Sequence, residues 1–142
     1  MSWRMARALE VLRLEINQAA PERARASDGG IGDRAHRGRI SDHNPCDCCA
    51  VVCARDFTHD PAGGFDAERF AAWLQRRLEA DRERRVRYVI WDRRICSGPA
   101  QGHPVGLWRR YEGANPHTTH VHISVRHPRR YFDDEGAWGW PP

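Results

Sequence analysis

The stretch His117-Thr118-Thr119-His120-Val121-His122-Ile123-Ser124-Val125 decides how this chain is read. Side chains of an extended strand alternate between its two faces. His120, His122 and Ser124 therefore share one face, and Val121, Ile123 and Val125 share the other. The apolar face needs a core to cover it. The opposite face sets two imidazoles side by side, with Cα atoms about 7 Å apart. Burying such a pair is costly unless it binds something. One ring can hold a metal while the other stands over the bound ligand. His117 sits just before the strand, after Pro116, and can reach the same place from the rim.

Partners for these histidines lie upstream, in Ser41-Asp42-His43-Asn44-Pro45 and in the strand-like run 50–57, whose inward candidates are Val52, Ala54 and Asp56. His43, Asp56 and His122 would give two imidazoles, a carboxylate and an open fourth position, the arrangement used by catalytic zinc. Mixed nitrogen and oxygen donors suit zinc better than calcium or magnesium, which take oxygen shells. Asp60, in His59-Asp60-Pro61, is the rival carboxylate, since Asp56 at a strand end could instead cap a turn.

Four segments, Ile31-Gly32-Asp33-Arg34-Ala35-His36, Ser41-Asp42-His43-Asn44-Pro45, Ala54-Arg55-Asp56-Phe57 and Trp108 through His122, occur in that order. Together they resemble the zinc peptidases that cut peptidoglycan peptides: the superfamily of D-Ala-D-Ala carboxypeptidases, L-Ala-D-Glu endopeptidases and the lysostaphin and hedgehog folds. The likeness is to peptidase domains of phage and prophage endolysins of actinobacteria and covers roughly residues 9–125. It implies that His43, Asp56 and His122 hold zinc and that His120 is the catalytic histidine, with His117 also to be considered as the base. The chain departs from that pattern twice. Asp56 follows His43 by thirteen positions rather than about seven, and Thr119 stands where some relatives carry a glutamate base. Stem peptides end in carboxylates, which arginine recognises in bidentate fashion. Arg34, Arg39 and Arg109 are the expected substrate-binding arginines, with Arg37 nearby. Tyr111 and Trp108 are candidates to line the groove, His36 to touch the site or fix its loop, and Ser41 to brace the loop carrying His43.

The remainder reads as an α+β domain: a small, mainly antiparallel sheet with two packed helices, long ordered loops and a single zinc site. Leu9, Leu12, Ile16 and Ala19 recur at helical spacing over 3–19, and Asp66 caps a helix over 67–81 carrying Phe70, Trp73, Leu74 and Leu78. A hairpin is expected across Asp92-Arg93. Residues 22–40 and 97–107 read as loops. The 142 residues fit one domain, with a core over roughly 9–125 and a tail, 126–142, without clear structure.

There is no apolar run of about 18 residues, so no membrane span is expected. No signal peptide is read at the N-terminus; the chain is expected to be made in a host cytoplasm, to act on the cell wall and to be a monomer. All 23 basic residues are arginine, and the net charge of +4 favours anionic partners without choosing among them. Cys46, Cys48, Cys49 and Cys53 could form a second, structural zinc site, or be a plain loop insertion. Two rival functions are weighed. His120-Val121-His122 with Tyr131 would suit a single-strand DNA nickase, and the missing glutamate at 119 would suit a metal- or wall-binding module without activity. No specific nucleic acid is expected as a partner; peptidoglycan peptides are.

Overall fold

The computed structural model describes residues 2–30, 41–45 and 50–142. In chain order the elements are β1 (Arg4–Met5), α1 (Arg7–Ala19), β2 (Val51–Val52), β3 (Ala54–Thr58), α2 (Ala67–Glu79), β4 (Val86–Trp91), β5 (Arg94–Ser97), β6 (Trp108–Arg110), β7 (His120–Val125) and α3 (Arg129–Phe132). The histidine stretch forms β7, which is flanked on both sides in a five-stranded sheet of order β3-β7-β4-β5-β6. Every pairing in that sheet is antiparallel. The fold is thus α+β, as the alternation and helical periodicities predict.

The two sheet faces divide the labour. Val121, Ile123 and Val125 are fully buried and join Val89, Cys96, Phe57 and the apolar residues of α1 and α2 in one core cluster. The other face carries the histidines. α2 begins where Asp66 accepts hydrogen bonds from the backbone of Glu68 and Arg69, satisfying two of the four orphan donors of a helix start. The helix then presents Phe70, Ala71, Leu74 and Leu78 to the core.

Several boundaries differ from the sequence reading: α2 ends at Glu79 rather than 81, and the run 50–57 is divided into β2 and β3. The first helix starts at Arg7, because Arg4 and Met5 pair in parallel with Val51 and Val52. Residues Trp108–Arg110 form an edge strand against β5. The tail is part of the core: Phe132, Trp138 and Trp140 are buried. The Trp138 indole donates to the Ala8 carbonyl at 2.8 Å, and Arg85 lies 4.0 Å over its ring. Glu15 accepts from the backbone of Trp138, Gly139 and Trp140. No local periodicity announces such docking, because its partners lie from about fifty to more than a hundred positions away in the chain. Replacing Trp138 with alanine should destabilise the fold by about 3–5 kcal/mol, read as a lowered urea midpoint; a change under about 1 kcal/mol would mean that the tail is not part of the core.

A second anchor shapes the loop leading to the site. The Arg23 guanidinium, its side chain 0% exposed, pairs with Asp28 at 2.6 Å. Asp28 also accepts from the Thr58 amide and hydroxyl at 2.8 and 2.7 Å. Gly29 then exchanges backbone hydrogen bonds with Asp56. Burial works against the ionised Asp28, yet Arg23 and Thr58 outweigh it and hold its pKa below the ordinary value. A depressed carboxylate pKa stabilises the fold above the unfolded value, about 3.9, and that stabilisation is lost as pH falls through the folded value. Asp28→Ala should cost about 3–5 kcal/mol at neutral pH by stranding a buried guanidinium. Urea titrations should also show a smaller loss of stability below about pH 4 in the variant than in the wild type.

Candidate metal centre

The register of the sheet builds the site. In the β3–β7 ladder Asp56 lies opposite His122, and Thr58 opposite His120. Directly opposed residues share a face, so one carboxylate is delivered to both histidines. The loop 41–45 supplies His43. Its amide donates to Ser41 Oγ at 3.2 Å, so Ser41 does brace this loop. The neighbouring Asp42 is tied to Arg87 at 2.7 Å, and its carbonyl accepts from the Cys53 amide.

His43 Nε2, His122 Nδ1 and Asp56 Oδ1 form a nearly equilateral triangle. Its edges are 3.0 Å between the rings, 3.1 Å from His122 to Asp56 and 3.3 Å from His43 to Asp56. A tetrahedral shell with bonds of about 2.0–2.1 Å has edges near 3.3 Å. Each ring also has its far nitrogen engaged. His43 Nδ1 donates to the Gly30 carbonyl at 2.8 Å, and His122 Nε2 lies 2.7 Å from Ser124 Oγ. Such partners orient ligand imidazoles and fix their tautomers. Three lone-pair-bearing atoms this close repel one another unless a proton or a cation sits among them. The pKa directions express that demand. Burial disfavours a charged His43, but Asp56 outweighs it and raises the histidine. Burial likewise opposes ionised Asp56, but hydrogen bonds from His122 and His43 hold it far below the ordinary carboxylate range. The donor set therefore fits a divalent cation.

The other two histidines face the same spot. His120 Nε2 lies 3.6 Å from Asp56 Oδ2, and its Nδ1 meets the Thr119 hydroxyl at 2.9 Å. His117 adopts a φ of 55°, a left-handed conformation uncommon outside glycine. Asn115 holds it there, accepting from both its amide and its Nδ1. Its ring centroid is 5.0 Å from that of His120 and 5.5 Å from that of His122. Burial, with the neighbouring His122 and His120, pushes His117 down to about 4, and burial lowers His120 as well. Both rings are therefore neutral near pH 7, with Nε2 lone pairs available. Thr119 stands where a glutamate base was sought and instead orients His120.

Of the remaining expected residues, Tyr111 packs edge-on against His117 at 5.5 Å. Arg109 lies on the histidine face, three strands from His122 through the register His122–Ile90–Ile95–Arg109, or about 14 Å across the sheet. It donates to Ser97 Oγ, and its Nε is buried without a partner. Trp108 alternates to the helix face and packs on the core, under Arg94, so it does not line the histidine face. Asp60 caps its own turn, accepting from Ala24 and Gly63, and is not among the converging donors. The Tyr131 ring is held by Arg126 and Arg130. Arg34, His36, Arg37, Arg39, Cys46, Cys48 and Cys49 lie outside the described residues. Cys53 is buried, with its sulfur 3.7 Å from His127 Nε2.

Sequence reasoning missed two supports. Tyr88 stacks on His122 at 5.5 Å and 10°, and the Gly30 carbonyl orients His43. Ser124, which the strand alternation already places on the face of His120 and His122, is a third support, at 2.7 Å from His122 Nε2. Ser124→Ala should weaken metal binding by about 10- to 100-fold, measured by competition with a chromogenic chelator. Unchanged affinity would show that Ser124 does not orient the ring.

Comparison with known proteins alters the family reading. The family model described as VldE, C-terminal domain, matches residues 5–122. No curated protein and no solved structure matches the chain. No peptidase family matches, so the resemblance to peptidoglycan peptidases is overturned as an assignment of family. The physical reason is the brevity of Ser-x-His, Ala-x-Asp and His-x-His. They are what any loop, strand and strand need to bring imidazoles and a carboxylate together, and the departures at Thr119 and in the thirteen-residue spacing already set this chain apart. With the matched span running from β1 into the histidine strand and including His43, Asp56, His117, His120 and His122, the chain belongs to the VldE C-terminal domain family.

Proposed function

We propose that this domain is a zinc-dependent hydrolase of amide bonds, acting on the peptides of bacterial peptidoglycan. The observation that carries the reading is the triangle of His43, Asp56 and His122 with two further neutral imidazoles facing it. Mixed nitrogen and oxygen donors with an open position favour zinc. When bound, zinc supplies a Lewis acid for a carbonyl and lowers the pKa of water towards about 7. The chain does the rest. His43 and His122 present fixed lone pairs. His120 Nε2 takes the proton from the attacking water and returns it to the leaving nitrogen. His117, held by Asn115 and backed by Tyr111, keeps its proton on Nδ1, so its Nε2 lone pair accepts a hydrogen bond from the attacking water and helps to orient it. Arg109, on the same face about 14 Å across the sheet, is the guanidinium that would suit a peptide bearing a carboxylate at a distance from the scissile bond.

The test is incubation of the chain, loaded with one zinc equivalent, with defined cross-linked stem peptides, followed by mass spectrometry. Chelator-sensitive appearance of new amine and carboxylate ends is expected. Intact peptides after full metal loading would overturn the hydrolase reading for this substrate. Cleavage of single-stranded DNA under the same conditions would replace it with the nickase.

A further inference from the structure

The carboxylate of Asp56 has two oxygens, and only Oδ1 belongs to the triangle. Oδ2 turns to His120 Nε2 at 3.6 Å. Asp56, His117 and His120 form a second converging set, with one donor atom from each residue all within 4.8 Å of one another. The supports repeat the design of the first set. His117 Nδ1 donates to the Asn115 carbonyl at 2.8 Å, which leaves Nε2 as the lone pair. His120 Nδ1 is engaged by Thr119 Oγ1 at 2.9 Å, which likewise leaves Nε2. Far-side partners on both rings are what ligand imidazoles carry. The backbone of His117 is held left-handed to bring its ring there, a cost met where surroundings over-determine a position.

We propose that Asp56, His117 and His120 form a second, weaker divalent-cation position that shares Asp56 with the first. It is weaker for two reasons visible in the site. Two dications would share one carboxylate, with only neutral imidazoles as the other donors. The oxygen-to-nitrogen contact is also longer than any edge of the first triangle. An ion there takes the lone pairs of His117 and His120. On the hydrolase reading these are the groups that orient the attacking water and take its proton, so a second ion switches the site off. That consequence rests on the proposed function; the binding position does not.

The experiment is an equilibrium titration of the full chain with zinc and, in parallel, with cobalt(II). Wild type should bind in two steps, the second about 100-fold weaker or more. The second cobalt step should bring no thiolate-to-cobalt absorption, which separates it from binding by cysteines. His117→Asn keeps a residue tolerant of the left-handed backbone but is too short to reach. It should lose the second step and keep the first within about 3-fold, which also reports that the variant is folded. Hydrolysis by wild type should fall over the zinc range of the second step. A single step in wild type, a second step that survives His117→Asn, or a thiolate band accompanying that step would overturn the second position. Two steps without peptide turnover at any zinc level would uphold the position and sink the hydrolase reading. Absence of any bound metal would overturn both.

Discussion

On the proposed zinc-hydrolase reading, Asp56→Ala should leave the purified chain without bound zinc and without metal-dependent activity. The expectation follows because, among the described residues, this one side chain is the only carboxylate converging with the four histidines. Its Oδ1 completes the triangle with His43 and His122 at 3.1–3.3 Å, and its Oδ2 faces His120. Removing it leaves neutral imidazoles alone to compensate a dication, where catalytic zinc sites normally keep three protein donors. Metal analysis after gel filtration should fall from one zinc per chain to about zero, against losses of about 10- to 100-fold in affinity for changes in supporting groups such as Ser124. The fold should survive, since Asp56 is half-buried and its backbone hydrogen bonds to Gly29 do not depend on the side chain. Retention of stoichiometric zinc by a folded Asp56→Ala chain would remove this site from consideration.

The sequence disclosed the parts of the site more readily than their assembly. Alternation over His120–Val125 was enough to predict the strand and to assign its two faces, because strand geometry is local. The apolar recurrence in α1 and α2 was legible for the same reason. The pairing that sets Asp56 against His122 joins residues far apart in the chain, and only the ladder supplies the register. The same holds for the burial of Trp138 under Arg85 and against Ala8, in a tail with no periodicity to read. Thr119 shows the opposite failure. Sought as a missing base, it proves to be a hydroxyl that engages His120 Nδ1, a role that no spacing rule encodes. The short motifs picked out side chains that the fold brings together but not the family: His43, Asp56 and His122 converge, whereas the matched family model spans the surrounding chain.

His120→Ala should separate binding from turnover. His120 is absent from the triangle of His43, Asp56 and His122, so tight uptake of the first zinc should persist within about 10-fold. Catalysis should not. On the proposed hydrolase reading His120 Nε2 is the proton carrier, and a positioned acid or base contributes about 10²–10⁴-fold to rate. The loss should appear in kcat more than in KM, because proton transfer belongs to the transition state and not to substrate binding. His122→Ala provides the contrast: it removes a triangle donor and should lose zinc and activity together. Measuring zinc content and hydrolysis in both variants decides between the roles. Equal zinc loss in the two would make His120 a ligand of the first ion. Full activity in a zinc-loaded His120→Ala chain would pass the proton to His117, whose ring lies 5.0 Å from that of His120 and converges on the same carboxylate.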